Sequence, residues 1–248
     1  MSAISTSHRA PSPPQQLPLY RFTPDQFQRL LASDVLAPDQ VVELRDGHIV
    51  VRNNGTLPPL RFTVKQYQRM ITLDIVSEHP PNELLDGRIV TKMSRNPPHD
   101  TAIYRTHMAL LQRLPAEWIC RGQSGVTTDD SQPEPDVAVV RGPIERYDDH
   151  HPTAEEMELV VEVANTTLDR DRNFKGPLYA RAGIAAYWIV NVIDGQVEVY
   201  TDPVTTDAES AYGHRQEYRG TESVPLTVGG RELAPIPVHE LLPRQRQP

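Results

Sequence analysis

Apolar residues are densest in two short stretches in the second half of the chain. One runs from Met157 to Ala164, Met-Glu-Leu-Val-Val-Glu-Val-Ala, and the other from Val137 to Val140. Nearly unbroken runs of β-branched and aliphatic residues are typical of strands that are buried on both faces. Each run is associated with one acid, because Glu162 lies inside the first and Asp136 comes directly before the second.

These two acids predict a site for a divalent cation. A carboxylate among apolar residues is costly unless a cation or several donors face it. We therefore expect the two strands to be neighbours and to present Asp136 and Glu162 at a shared end, where two carboxylates match the protein ligands that Mg²⁺ usually takes. Taken singly, either acid fits a structural role, and an aspartate after a proline is common at strand starts. The pair on consecutive strands favours the metal site.

A lysine close to such a site would orient an attacking water and stabilise the negative charge that develops. Lys175 is the best candidate, because it follows the Glu162 strand at the start of a predicted helix that must pack back on the sheet.

The remaining patterns predict a mixed α/β sheet with helices packed on it. Helical spacing runs from His99 to Leu114 and from Lys175 to Ala182, where Gly183 ends the helix. Strands are predicted at Trp118–Val126 and Ala186–Val192, an edge strand at Gln196–Tyr200, and irregular β structure from there to about Leu242.

An internal repeat with a spacing of 40 residues precedes this core. Phe22–Leu31 aligns with Phe62–Ile71, and Glu43–Val50 aligns with Glu83–Val90, with no gap between the blocks. Only two copies occur, which indicates a tandem duplication of one small unit and not a solenoid.

Each copy predicts a helix followed by a β-hairpin. Thr23 and Thr63 are predicted N-caps, each with a glutamine three residues later as the capping-box partner. The dipeptides Asp46-Gly47 and Asp86-Gly87 are strong hairpin signals, because glycine accepts the positive φ of a type I′ turn.

Composition narrows the functional classes. The chain has 248 residues, 24 prolines, one cysteine (Cys120) and a net charge of −8. The single cysteine excludes an internal disulfide framework and predicts a cytoplasmic protein, and we expect no membrane association, because no apolar run reaches the ~18 residues that a spanning helix needs. The negative charge disfavours nonspecific coating of nucleic acid, although it is compatible with a nuclease whose substrate groove is locally basic.

The motifs resemble a known nuclease family. Pro135-Asp136 followed by Glu162-Val163-Ala164 resembles the PD-(D/E)xK nuclease superfamily, and the wider chain is similar to the Uma-two family of restriction-endonuclease-like proteins. The further matching pieces are Glu83–Val90, the Pro-Pro-His that ends at His99, Asp171 to Lys175, Tyr179 to Ile184, and Tyr187-Trp188-Ile189-Val190.

The resemblance implies an endonuclease-like core, dependence on Mg²⁺ or Mn²⁺, and DNA as the substrate. It also implies that Glu83 joins the metal site and that His99 contacts the substrate. One position departs from the superfamily pattern: the lysine that usually lies two residues after the acid is Ala164 here, so its role passes to Lys175. Glu43, the counterpart of Glu83, is expected to be remote from the chemistry.

We divide the chain into a disordered tail (1–18), an extra helix–hairpin repeat (19–58), an endonuclease-like domain (59–242) and a second tail (243–248). Three functions remain open: a metal-dependent DNA endonuclease, a nuclease-like module that binds or regulates without turnover, and a hydrolase of another phosphate ester. A homodimer is a further expectation, because cutting two strands usually takes two sites. The extra repeat is compatible with a lid, a dimerisation arm, a substrate clamp or a surface decoration.

Overall fold

The structure is a computed structural model that describes residues 17–52, 56–77, 79–92, 95–206 and 209–244. The predicted tails lie outside the described residues, except for Leu17 and Pro18 at one end and Pro243 and Arg244 at the other. Within the described part of the chain, none of the helices would reach across the apolar interior of a bilayer.

Two units with the same order of elements come first. The elements are α1 (Pro24–Leu31), β1 (Val42–Arg45) and β2 (His48–Val51), then α2 (Val64–Thr72), β3 (Asn82–Leu85) and β4 (Arg88–Thr91). Thr23 and Thr63 cap α1 and α2 through complete capping boxes, as predicted. Both hairpins turn at Asp-Gly with positive φ at all four residues. That the two units arose by duplication stays a prediction.

The core domain begins with the long helix α3 (Pro97–Leu111) and continues into a six-stranded sheet. Its strands are β5 (Trp118–Gly122), β6 (Val137–Arg141), β7 (Met157–Ala164), β8 (Ala186–Asn191), β9 (Gln196–Thr205) and β10 (Ser210–Arg219). They lie in the order β10-β9-β8-β7-β6-β5, with β7 and β8 parallel and every other pair antiparallel. This is the predicted mixed α/β architecture.

Short helical segments connect β7 to β8 and close the chain. They are α4 (Leu168–Arg170), a π-helical turn (Asp171–Lys175), α5 (Gly176–Arg181) and, after the hairpin of β11 (Ser223–Val228) and β12 (Arg231–Pro237), α6 (Val238–Leu241). Gly183 follows α5 with φ +75°, as expected for the residue that ends a helix.

The central strands are buried on both faces, which explains their continuous apolar sequence. On one face, Leu159, Val161 and Val163 of β7 join a core with α3, β11, β12 and α6. On the other face, Val160 and Ala164 pack with residues of α5 and β8, among them Tyr179 and Tyr187. Glu162 belongs to this second face by alternation.

Some element boundaries differ from the sequence predictions. Gln196–Tyr200 was predicted as an edge strand, but β9 extends to Thr205 and pairs with β8 and β10 on its two sides. The edge strand beside β9 is β10, which the sequence analysis missed because most of its side chains are polar and exposed. The described residues after Tyr200, up to Leu242, form regular strands and a short helix instead of the predicted irregular β structure. Strand β5 ends at Gly122 instead of Val126.

A buried carboxylate on β9 forms a hydrogen-bond network in the sheet. Glu198 of β9 has no exposed surface and accepts hydrogen bonds from Arg172, Arg215, Tyr200, Asn191 and Gln196. Burial alone would raise its pKa, but these donors outweigh burial and lower the pKa to about 2.

The two adjacent leucines of α3 provide a test of the packing. Leu110 is fully buried whereas Leu111 is 51% exposed. Leu110→Ala is therefore expected to lower the free energy of unfolding by about 2–5 kcal/mol, and Leu111→Ala to change it by at most about 0.5 kcal/mol. Urea denaturation of both variants checks this, and equal losses would contradict the assigned face of α3.

Glu198 gives a prediction about acid stability. Its folded-state pKa lies below the ordinary value of 4.5, so the ionised form stabilises the fold above about pH 4.5, and this contribution is lost as the pH falls towards about 2. Glu198→Gln should therefore destabilise the protein strongly at pH 7 and much less at pH 3, as measured by urea midpoints. The exposed Glu209→Gln is the control and should show no such difference.

Candidate active site

Asp136 and Glu162 meet at one end of the sheet, as the sequence predicted. The antiparallel register pairs Val137 of β6 with Val161 of β7, so the next residue outward on each strand is one of the two acids. Asp136 is 7% exposed and Glu162 4% exposed, and both line the same cavity. Two acidic side chains thus share one opening at the sheet end.

Lys175 reaches this pair from the π-helical turn. Its Nζ donates to Glu162 Oε1 at 2.8 Å and lies 3.3 Å from Glu83 Oε2. One helical turn later, the hydroxyl of Tyr179 donates to the same Glu162 oxygen at 2.7 Å. A π-helical turn changes the direction of side chains relative to an α-helix and is frequent at functional sites. Here it directs a fully buried ammonium group towards β7.

Glu83 lies behind Lys175 as the second residue of β3 and is fully buried. Its Oε2 accepts a hydrogen bond from the backbone N–H of Glu134 at 3.1 Å. Its Oε1 has no hydrogen-bond partner among the described residues. Glu43, the counterpart in the first unit, instead forms ion pairs with Arg45 and Arg52 on the surface of that unit.

His99 contacts Asp136 from the first turn of α3. Its Nε2 lies 3.4 Å from Asp136 Oδ2, which also accepts the backbone N–H of Val163 at 2.9 Å. The helix start is fixed by Asn96, whose side chain accepts the backbone N–H of His99 at 3.1 Å. The predicted substrate-contacting histidine therefore lies beside the predicted metal-binding aspartate.

The charges at the site shift one another's pKa values. Burial opposes the charge of Asp136, but the hydrogen bond and charge of His99 hold the aspartate's pKa below its usual value. Burial would likewise lower the pKa of His99, and Asp136 raises it above its usual value instead. Burial and the neighbouring acids Asp136 and Glu83 raise the pKa of Glu162, although Lys175 opposes them.

Lys175 stays protonated in spite of its burial. Desolvation would lower its pKa, but the attraction of Glu162 and Glu83 outweighs it and raises the pKa above the usual value. In the same way Lys175 overcomes burial at Glu83 and lowers that pKa. Asp171, at the start of the π-helical turn, behaves differently, because burial and the charge of Glu162 raise its pKa to about 7.

A cavity of about 270 Å³ opens in front of these groups. His99 also lines it, and its basic lining residues are Lys92, Arg95, Arg170 and Lys175. The Nε and Nη1 atoms of Arg170 are buried without a hydrogen-bond partner among the described residues. Acidic and basic side chains thus line one cavity, a combination that suits a phosphate group together with a cation.

Sequence reasoning missed several of these residues. Tyr179 could have been found, because it follows Lys175 by four residues and therefore shares its helix face. Arg170, Lys92 and Arg95 carry no such signal. Lys92 and Arg95 lie between β4 and α3, Arg170 ends α4, and only the fold brings these two parts of the chain to one cavity.

The donor set is compatible with a hard cation but is not a closed cage. In the described ranges, no group of three or more His, Cys, Asp or Glu side chains is arranged to hold a metal ion. Mg²⁺ commonly takes only one or two protein carboxylates and keeps several waters. Asp136 and Glu162, both open to the cavity, meet that smaller requirement.

Comparisons with known proteins agree with this fold. Residues 64–235, more than half of the chain, match the Uma2 family, described as "Putative restriction endonuclease". The match starts at the first residue of α2, so the first unit lies outside it. No curated protein matches the chain.

A solved structure supports the same architecture. It is the crystal structure of a nuclease, described as putative, that belongs to DUF820 from Anabaena variabilis ATCC 29413. The TM-score is 0.54 at 13% sequence identity, over 73% of this chain and 97% of that chain, so this similarity concerns the fold alone. On the strength of the family match, this chain belongs to the Uma2 family of restriction-endonuclease-like proteins.

Proposed function

We propose that this protein is a metal-dependent endonuclease that hydrolyses DNA phosphodiester bonds, with Asp136, Glu162 and Lys175 as its catalytic residues. The observation that carries the proposal is the position of the Lys175 ammonium, 2.8 Å from Glu162 Oε1 in a cavity that Asp136 also lines. Lys175 thus supplies the amine that the nuclease superfamily usually carries two residues after the acid. In this chain that position is Ala164, which is buried in the core.

The acids would hold Mg²⁺ or Mn²⁺. Asp136 and Glu162 are the open ligands, and Glu83, whose Oε1 is buried without a partner among the described residues, would join them after a shift of Lys175. When bound, such a cation lowers the pKa of a coordinated water and neutralises charge on the phosphodiester.

The chain's own cations would bind and orient the substrate. Lys175 Nζ has donors to hold the attacking water and to stabilise the charge that develops on the phosphate. Arg170 has two buried nitrogen atoms without a hydrogen-bond partner among the described residues, although its Nε lies 3.9 Å from Asp171 Oδ1. It would bind a phosphate oxygen, which removes the cost of leaving those donors unsatisfied. His99, whose pKa is raised by Asp136, would donate to the phosphate from the opposite side.

A second candidate is a nuclease-like module that binds DNA without cutting it. The observation that favours it is the direct contact of Lys175 with both Glu162 and Glu83, which places an ammonium where a cation would have to compete. A hydrolase of another phosphate ester would use the same residues on a smaller substrate.

A cytoplasmic location is part of the proposal and is supported by the absence of a second cysteine in the sequence. A homodimer is also part of the proposal and is supported by the need to cut two strands.

The carboxylates give the first test. Asp136→Asn and Glu162→Gln keep the side-chain shape and remove the charge, so plasmid nicking with Mg²⁺ or Mn²⁺ should fall by about 100-fold or more. Glu158→Gln is the matched control on the same strand and should leave the rate unchanged. Retained DNA binding with no nicking by the unaltered protein would favour the second candidate, and nicking that survives both active-site changes would refute the site.

Metal binding gives a second test that does not depend on turnover. Mn²⁺ should raise the melting temperature of the protein, and Asp136→Asn should abolish this shift. Lys175→Gln should keep or strengthen metal binding, because it removes the competing ammonium, and should still lower nicking by about 100-fold. Calorimetric titration with Mn²⁺ measures the affinities. Weaker metal binding by Lys175→Gln protein that circular dichroism shows to be folded would contradict the assigned role of this lysine.

A further inference from the structure

The two N-terminal units contact each other through ion pairs that are related by the 40-residue repeat. Arg29 Nη1 lies 3.8 Å from Asp74 Oδ2, and Arg69 Nε lies 2.9 Å from Asp34 Oδ1. Positions 29 and 69 are equivalent in the two units, and so are positions 34 and 74. The same contact is therefore made twice, with the roles of the units exchanged.

The backbone repeats this reciprocity. Tyr20 N–H donates to Ile89 O at 2.8 Å, and Leu60 N–H donates to Ile49 O at 2.8 Å. Thr91 N–H donates to Pro18 O at 2.8 Å, and Val51 N–H donates to Pro58 O at 3.0 Å. Each of these pairs is converted into the other by adding or subtracting the repeat spacing. The segment that leads each unit thus lies along the hairpin of the other unit and joins it through one isolated antiparallel bridge.

The two phenylalanines at equivalent positions lie near the centre of this contact. The rings of Phe22 and Phe62 are 6.3 Å apart and both are buried. Contact between a residue and its own equivalent is the sign of a two-fold axis, and reciprocal contacts around it define an isologous interface. Both units contribute to one apolar cluster there, which includes Leu30 and Met70.

We infer that the first unit takes the place of a second subunit. Within one chain, the first unit makes a two-fold contact with the helix–hairpin unit of the Uma2 portion. Without the first unit, a second copy of that helix–hairpin unit would make the same contact. The face formed by α2 and β4 is therefore occupied, and the chain does not dimerise through it. Any dimer of the full chain must use another surface.

The charges of the first unit fit this structural role. Glu83 of the second unit reaches Lys175 in the candidate site, whereas Glu43 at the equivalent position pairs with Arg45 and Arg52. The first unit therefore contributes no acid to the chemistry. Its contribution is to complete the hairpin that carries Glu83, by adding residues 17–20 along β4. The inference is independent of whether the protein cleaves DNA.

Crosslinking tests whether the contact is made within one chain. Asp34 and Arg69 are exposed, with 68% and 45% of their side chains accessible, so cysteines there should be tolerated. In a Cys120→Ser background, Asp34→Cys with Arg69→Cys should give intrachain links with a short bismaleimide at every protein concentration. The single-cysteine variants are the controls and should give none.

Isotope labelling separates the two outcomes. In a mixture of ¹⁴N- and ¹⁵N-labelled protein, crosslinked peptides should carry a single label, because both thiols belong to one chain. Mixed-label peptides whose yield rises with concentration would show that the units pair between chains, which overturns the inference. Failure of the adjacent thiols to link at all would overturn the contact itself.

Opening the contact tests whether the covered face fits a second copy. Arg29→Glu with Asp34→Lys places a like charge opposite Asp74 and Arg69 and makes both intrachain ion pairs repulsive, so amide hydrogen exchange at Tyr20 and Leu60 should become about fivefold faster. The second unit keeps Arg69 and Asp74, which can still pair with their equivalents in another copy. The variant should then associate beyond the state of the unaltered protein at high concentration, as measured by light scattering. Adding Arg69→Glu and Asp74→Lys restores both intrachain ion pairs and should reverse this association. Faster exchange without any association would refute the claim that this face matches a second copy.

Discussion

The ammonium group of Lys175 is the interaction on which the site depends. It is fully buried, and it lies within hydrogen-bonding or ion-pairing distance of Glu162 on β7 and Glu83 on β3. Without this cation the two acids and Asp136 would repel one another in a region that water hardly reaches, and removal of one partner from such a buried set is strongly destabilising. The Lys175 side chain therefore connects the π-helical turn to the sheet and to the second helix–hairpin unit. Its charge also lowers the pKa of Glu83 and opposes the rise in the pKa of Glu162.

The same region contains buried polar atoms that lack hydrogen-bond partners. Buried charges are normally matched, yet Arg170 and Glu83 each keep at least one buried polar atom without a hydrogen-bond partner in the described part of the chain. Such atoms carry a desolvation cost that a ligand can remove. Under the proposed function, the nitrogen atoms of Arg170 would bind a phosphate and the oxygen atom of Glu83 a metal ion.

The N-terminal units connect to this chemistry through β3. The hairpin that carries Glu83 is held on one side by the loop before β6, through Leu84 and Gln132, and on the other by residues 17–20 of the first unit. A two-stranded hairpin alone is only marginally stable in water. The internal two-fold contact therefore supports an acid of the site without contributing a residue to it.

Much of this protein was determined by local sequence. The apolar runs at β6 and β7, the Asp-Gly turns and the Thr caps act over a few residues. These two strands, the two N-terminal hairpins and the helices before them therefore followed from pattern alone, as did the expectation that Asp136 and Glu162 lie at a shared end of neighbouring strands. Only the tertiary structure decided that β10 to β12 are regular strands and that β10 forms the edge beside β9. It also decided that Arg170, Lys92 and Arg95 line one cavity, and that the repeated units face each other across a two-fold axis. These features depend on contacts between residues far apart in the chain, where propensity and periodicity carry no information and the burial of shared surfaces determines the arrangement.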